Sequence, residues 1–226
     1  MISIKNLSKT FGTKKVLADI NIDIEKGAIV ALTGPNGAGK TTLLKILSCL
    51  ILPSIGTAEI NGVNCITNRT SCLKNTGIAL NSEYGFYAQL TVKENLQFFC
   101  RLYETDCTKI AEMLELLSLA EFKNTKFLFC SAGTKQKLTL ARALIKNPAV
   151  ILIDELSKSL DNTSAENIYN ILKNINSINN TTILFVTHNI NEILNLSTHY
   201  FILKEGTIIS EGKTDAVKNN PGFFNP

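Results

Sequence analysis

The segment Gly34-Pro35-Asn36-Gly37-Ala38-Gly39-Lys40-Thr41 matches the pattern G-x-x-x-x-G-K-[ST] in full. Its glycines allow successive backbone N–H groups to curl around an anion without side-chain clashes. Lys40 is placed to reach the β- and γ-phosphates of a nucleoside triphosphate, and the Thr41 hydroxyl to ligate Mg²⁺. Gly34, Asn36, Gly37, Ala38 and Gly39 form the cradle, and Thr42 extends it into the next turn. Downstream, Asp154-Glu155 follows the apolar run Val150-Ile151-Leu152-Ile153. A carboxylate at the end of a buried strand suits Mg²⁺ held through water, the role expected of Asp154. Glu155 is suited to orient and deprotonate an attacking water. The two segments together specify a nucleoside triphosphate site with hydrolytic groups.

These groups need elements that bring them to one edge. Ala28 to Leu32 is a continuous apolar run, the pattern of a strand buried on both faces, and it leads into the Gly-rich loop. A helix is expected from about Lys40 to Leu50, ended by Pro53 and Gly56. Ahead of them, Ile20, Ile22 and Ile24 alternate with polar residues as in a half-buried antiparallel strand. Thr57 to Cys65 reads as a hairpin around Asn61-Gly62.

The middle of the chain is helical. Thr91-Val92-Lys93-Glu94 is a capping box opening a helix through about Tyr103, and Ile110, Met113, Leu114 and Leu117 line a second helix. Ser131 caps a third, which runs through Arg142 and stops at Asn147-Pro148. Strand Val150–Ile153, a helix opened by a capping box at Thr163 and ending near Ile175, and strand Ile183–Val186 follow. A hairpin around Glu205-Gly206 closes the pattern. Alternating buried strands and helices predict a parallel-sheet α/β core, interrupted by a helical insertion at about 83–146.

Composition bounds the rest. The 226 residues are 45% hydrophobic and 19% charged, enough for a sizeable core in one larger domain. The net charge of +4 is too mild for a dedicated nucleic-acid binder. No apolar run approaches a membrane span, and the first residues lack a signal peptide, so a soluble intracellular chain is expected. The cysteines at 49, 65, 72, 100, 107 and 130 include no Cys-x-x-Cys pair. They are expected to be reduced thiols without metal-ligand spacing.

Further segments narrow the class. Cys130-Ser131-Ala132-Gly133-Thr134-Lys135-Gln136 resembles the LSGGQ-type signature of ABC-type ATPases. Ser159-Leu160-Asp161 is similar to that family's D-loop, Thr187-His188 to its switch histidine, and Phe11 to its adenine-stacking aromatic. The resemblance spans nearly the whole chain. It implies a P-loop NTPase fold: a RecA-like parallel sheet with an N-terminal antiparallel β subdomain and an inserted α-helical subdomain. The boundaries implied are 1–82 and 147–226 for the nucleotide-binding core and 83–146 for the helical part. The implied cofactors are ATP and Mg²⁺.

The resemblance further implies a head-to-tail dimer around two ATP molecules, homodimeric or with a related subunit. Ser131 and Gly133 of one subunit, with Asp161, would face the other's nucleotide, and His188 would join Glu155 and Lys40 in catalysis. Separate transmembrane permease subunits would dock near 82–104, on the cytoplasmic face of the membrane. Segment 82–87 looks most like the exporter-type branch. Ala132, Thr134 and Leu156 depart from the family's usual residues, and the lid glutamine that approaches the metal falls on Ser82, with Asn81 adjacent.

Two other classes are weighed. A non-transport ATPase acting on DNA or ribosomes would need a long coiled-coil arm or a second ATPase domain. Only 90 residues separate Lys40 from Ser131, with no sustained heptads. A regulatory module with weak turnover would have no need of Lys40, Asp154, Glu155 and His188 together.

Overall fold

Ten strands form two sheets in a computed structural model that describes residues 1–80, 85–155 and 157–218. Strands β1 (Ile2–Phe11), β2 (Lys14–Ile24), β4 (Ile55–Ile60) and β5 (Val63–Asn64) form an antiparallel sheet in the order β2-β1-β4-β5. The second sheet contains β3 (Ile29–Thr33), β6 (Thr76–Ala79), β7 (Val150–Asp154), β8 (Thr182–Val186), β9 (His199–Lys204) and β10 (Thr207–Lys213). Its order is β10-β9-β3-β8-β7-β6, and every pairing is parallel except β10 with β9. This is the P-loop NTPase architecture.

The short apolar strands are buried on both faces because a separate core lies on each side. Val30, Leu32, Leu152, Leu184 and Leu203 pack toward the antiparallel sheet and helix α1 (Lys40–Leu47). Their neighbours Ala31, Ile151, Ile153, Ile183 and Phe185 pack on the opposite side with residues of α3 (Val92–Leu102), α5 (Ala132–Leu144), α6 (Asn162–Asn179) and α7 (Ile190–Leu196). Burying each large aliphatic side chain contributes about 1.5–3 kcal/mol, so the central strands hold the loops at their ends firmly.

Several local expectations hold. The Asn61-Gly62 turn joins β4 to β5, with φ of 58° and 75°. Thr91 and Glu94 form the reciprocal capping box of α3, and Ser131 caps α5 by accepting from the Thr134 N–H. The helix at 110–117 is α4 (Ile110–Leu116), and α2 (Arg69–Lys74) is an additional short helix.

Other expectations are corrected. Helix α1 stops at Leu47, well before Pro53, because Cys49 turns left-handed at φ 57°. Helix α6 is capped by Asp161, not Thr163: the Asp161 carboxylate accepts from the Ser164 N–H at 2.9 Å, and the helix runs on to Asn179. A carboxylate is the stronger acceptor for an unpaired helix N–H, and it lies three residues before Ser164. Strand β9 is more than half of a hairpin, since it also pairs in parallel with β3. Ser82, Asn81 and Leu156 lie outside the described residues.

Candidate functional site

The Gly-rich loop leaves the end of β3 and enters α1 with φ of 137° at Gly34, 81° at Gly37 and 111° at Gly39. No side chain caps α1, so its first N–H groups are left for an external anion, which the helix dipole favours. Asn36, Gly37 and Thr41 are exposed, Lys40 and Thr42 half-buried, and Ala38 buried. The Lys40 ammonium donates to the carbonyls of Gly34 at 2.7 Å and Pro35 at 2.9 Å. Burial lowers its pKa, while the charges of Asp154 and Glu155 act in the opposite sense. The lysine is thus held at the mouth of the loop with its charge facing the carboxylates.

Those carboxylates stand at the end of β7. Burial raises the pKa of Asp154, opposed by a hydrogen bond from the Thr41 hydroxyl. Its Oδ1 is buried without a hydrogen-bond partner. An orphaned carboxylate oxygen beside a hydroxyl is a hard-oxygen donor set, which fits Mg²⁺. Glu155 adopts φ 53°, its N–H donates to the Val186 carbonyl at 3.0 Å, and its carbonyl accepts from Gln136 Nε2 at 3.4 Å. Lys158 Nζ lies 2.6 Å from Glu155 Oε2, and His188 Nδ1 lies 3.9 Å from Oε1. Glu155 and His188 line a cleft of about 220 Å³ with Ser157, Lys158, Thr187, Asn189 and Glu192. Sequence spacing alone could not have given this approach of His188 to Glu155.

Glu192 was missed from sequence. It is fully buried, and its Oε2 accepts from the Thr187 hydroxyl at 2.5 Å and the Ser157 hydroxyl at 3.2 Å. It thereby ties the segment before His188 to the segment after Glu155. The available signal was a glutamate one position before Ile193, on a helix whose other buried residues are apolar. Burial raises its pKa from the ordinary 4.5 to about 7, with the two hydroxyl bonds opposing and the Glu155 charge reinforcing the rise.

Between those two values the folded chain holds a proton that the unfolded chain has released, so stability falls as pH rises through that window. A shift of this size corresponds to about 3 kcal/mol. Glu192→Gln is expected to flatten the decline, read as denaturation midpoints between about pH 4.5 and pH 8. A variant that kept the wild-type slope would assign the titration to another group.

The remaining expected residues form a second group. Ser131 is exposed, and its hydroxyl pairs with that of Thr134 at 2.9 Å. The unusual Thr134 therefore supports Ser131. Gly133 lies against the D-loop segment, where an added Cβ would stand 3.1 Å from the Ser159 carbonyl oxygen. Asp161 bonds Ser164, which holds its carboxyl below the usual range. No hydrogen bond among the described residues joins Ser131, Gly133 or Asp161 to the Gly34–Thr42 loop. Phe11 is 48% exposed, with Lys9 Nζ 4.7 Å from its ring centre, so its face is not committed to the core.

A parallel sheet with a phosphate-binding loop at one strand end and a carboxylate pair at a nearby strand end defines a P-loop nucleotide hydrolase. The family model for ABC transporters matches residues 17–158, and the chain belongs to that family. It is an ATPase of the ATP-binding-cassette class. The chain is 32% identical over 225 residues to the ABC transporter ATP-binding protein NatA of Bacillus subtilis (strain 168), covering 96% of this chain and 91% of the relative. It is 31% identical over 224 residues to the probable sulfate/thiosulfate import ATP-binding protein CysA of Chlorella vulgaris, covering 97% and 94%. Among solved structures, the dimeric post-hydrolysis state of the ATP-binding cassette MJ0796 bound to ADP and Pi superposes with a TM-score of 0.86. That match has 28% identity and covers 95% of this chain and 99% of that one.

Proposed function

We propose that this chain is the ATP-hydrolysing subunit of a membrane transporter, acting as a pair that closes around two ATP molecules. The observation that carries the reading is the gathering of Lys40, Thr41, Asp154, Glu155 and His188 at the ends of the neighbouring strands β3, β8 and β7. Lys40 and the free N–H groups of the loop bind the β- and γ-phosphates. Thr41 and Asp154 hold Mg²⁺, which when bound neutralises phosphate charge. Glu155 orients the attacking water and takes its proton, and His188, beside it in the cleft, contacts the terminal phosphate.

Phe11 stacks on the adenine. Ser131 and Gly133, at an exposed helix N-terminus, with Asp161 nearby, meet the nucleotide of the other subunit. The dimeric MJ0796 structure supports this pairing. The second subunit is either an identical chain or a related one, and nucleic acid plays no part. Ser82, expected near the metal, lies outside the described residues.

We assign residues 83–146 to a helical subdomain and the rest to the nucleotide-binding core. Among the described residues no helix is long and apolar enough to cross a membrane. In this reading permease subunits carry the substrate path. The docking surface includes Tyr87, 51% exposed and packed edge-on against Phe98. Phe86 and Phe99, in the same segment, instead pack on each other, and Phe86 also stacks on Phe127. In this reading the chain sits on the cytoplasmic face of the membrane. Export, expected from segment 82–87, rests on that segment alone, and the similar CysA is named for import.

The pairing is tested by the molecular mass of the Glu155→Gln protein with and without Mg-ATP. The mass is expected to double with ATP and to stay monomeric in a Ser131→Arg variant. A monomer at saturating ATP, alone and with any co-purified permease, would overturn the reading.

A further inference from the structure

Three of the free cysteines, without recognisable ligand spacing in the sequence, converge in the fold. Cys49 follows the end of α1 in its left-handed turn, Cys65 follows β5 with its N–H bonded to the Ala58 carbonyl, and Cys72 lies on α2. Each is 1–2% exposed. Their Sγ atoms all lie within 4.8 Å of one another, and those of Cys65 and Cys72 are 3.1 Å apart. One buried cysteine is an ordinary small apolar residue. Three from separate elements, all aiming their sulfurs at one point, make a donor set.

We propose that Cys49, Cys65 and Cys72 form a three-thiolate site for a soft, thiophilic d¹⁰ metal ion. An ion bound about 2.3 Å from each of three sulfurs in a plane needs sulfurs about 4 Å apart, a spacing that small side-chain rotations would supply here. No histidine or carboxylate joins the three among the described residues. Zn²⁺ usually takes four ligands, whereas soft thiolates in a closed three-donor site suit Cu(I).

Binding replaces the three S–H protons with S–metal bonds, releases those protons to solvent and leaves the oxidation state unchanged. The guanidinium of Arg69 donates to the Cys49 carbonyl and supplies positive charge beside the resulting thiolates. A bound ion would pin the end of α1, the helix that begins at Lys40, to the β4–β5 hairpin and α2.

The test uses the full chain, reduced and anaerobic, with exposed Cys107 changed to Ser to remove a competing thiol. Cu(I) and, separately, Zn²⁺ are titrated against a chromophoric chelator. One ion per chain is expected, with Cu(I) preferred, and about 100-fold weaker retention in Cys65→Ser and Cys72→Ser. Bound metal is also expected to raise Tm by a few degrees. Because the serine variants could misfold, alkylation of the otherwise unaltered chain in mild denaturant, where the buried thiols become reachable, gives a second reading: metal should slow modification of Cys49, Cys65 and Cys72. Absence of stoichiometric uptake of either ion overturns the proposal, as does uptake that leaves the three thiols equally alkylated. So does a Cys65–Cys72 disulfide that persists in reducing buffer.

Discussion

Replacing Glu155 by Gln is expected to lower kcat by about 10²–10⁴-fold while ATP binding persists. The amide keeps the shape of the side chain but cannot take a proton from water. The features that place residue 155, its left-handed backbone, its N–H bond to Val186 and its carbonyl bond from Gln136, do not depend on the carboxylate. The loss of the Lys158 ion pair matters little for folding, since Lys158 is 67% exposed and such pairs contribute little. Single-turnover hydrolysis and equilibrium nucleotide binding separate the two effects. An unchanged rate would remove Glu155 as the base and shift attention to His188, 3.9 Å away.

The largest expected effect on stability belongs to Gly34→Ala. Residue 34 has φ 137°, and a Cβ there would sit 1.9 Å from the Leu203 carbonyl oxygen. That carbonyl belongs to β9, which is held against β3 by parallel pairing from Val30 to Thr33 and cannot move aside cheaply. Backbone strain and overpacking together should cost about 3–5 kcal/mol, or on the order of 10 °C in Tm. Gly37→Ala supplies the contrast. Its φ is 81°, but no atom lies within 4 Å of the added carbon, so the expected loss of stability is only about 1 kcal/mol. Binding of nucleotide should still weaken there, because the methyl points into the loop's solvent side. Equal thermal shifts for the two variants would refute the distinction.

The phosphate loop, the Asp154-Glu155 pair and the caps at Thr91 and Ser131 were legible because their chemistry is local. Each needs residue types at fixed short spacing, and the apolar strand before each carboxylate or loop fixes the direction. The features that escaped are those made by long-range pairing. Cys49, Cys65 and Cys72 meet only because a left-handed turn at residue 49 ends α1 early and a hairpin folds back toward it. Glu192 reads as a surface glutamate until Ser157 and Thr187, from the ends of two different strands, are placed against it. The true cap of α6 was hidden by a second plausible box beginning at Thr163. Two nearby acceptors compete there, and only the backbone decides between them.

Helix α5 joins two points that the sequence places 24 residues apart. Its first residue is capped by Ser131, and Gln136, on the next turn, donates to the carbonyl of Glu155. On the proposed pairing, a phosphate held at Ser131 from outside would act, through one helix, on the backbone of Glu155. In a head-to-tail pair each half would register whether its neighbour is loaded before it fires, and the two hydrolysis events would keep time through a single side-chain amide.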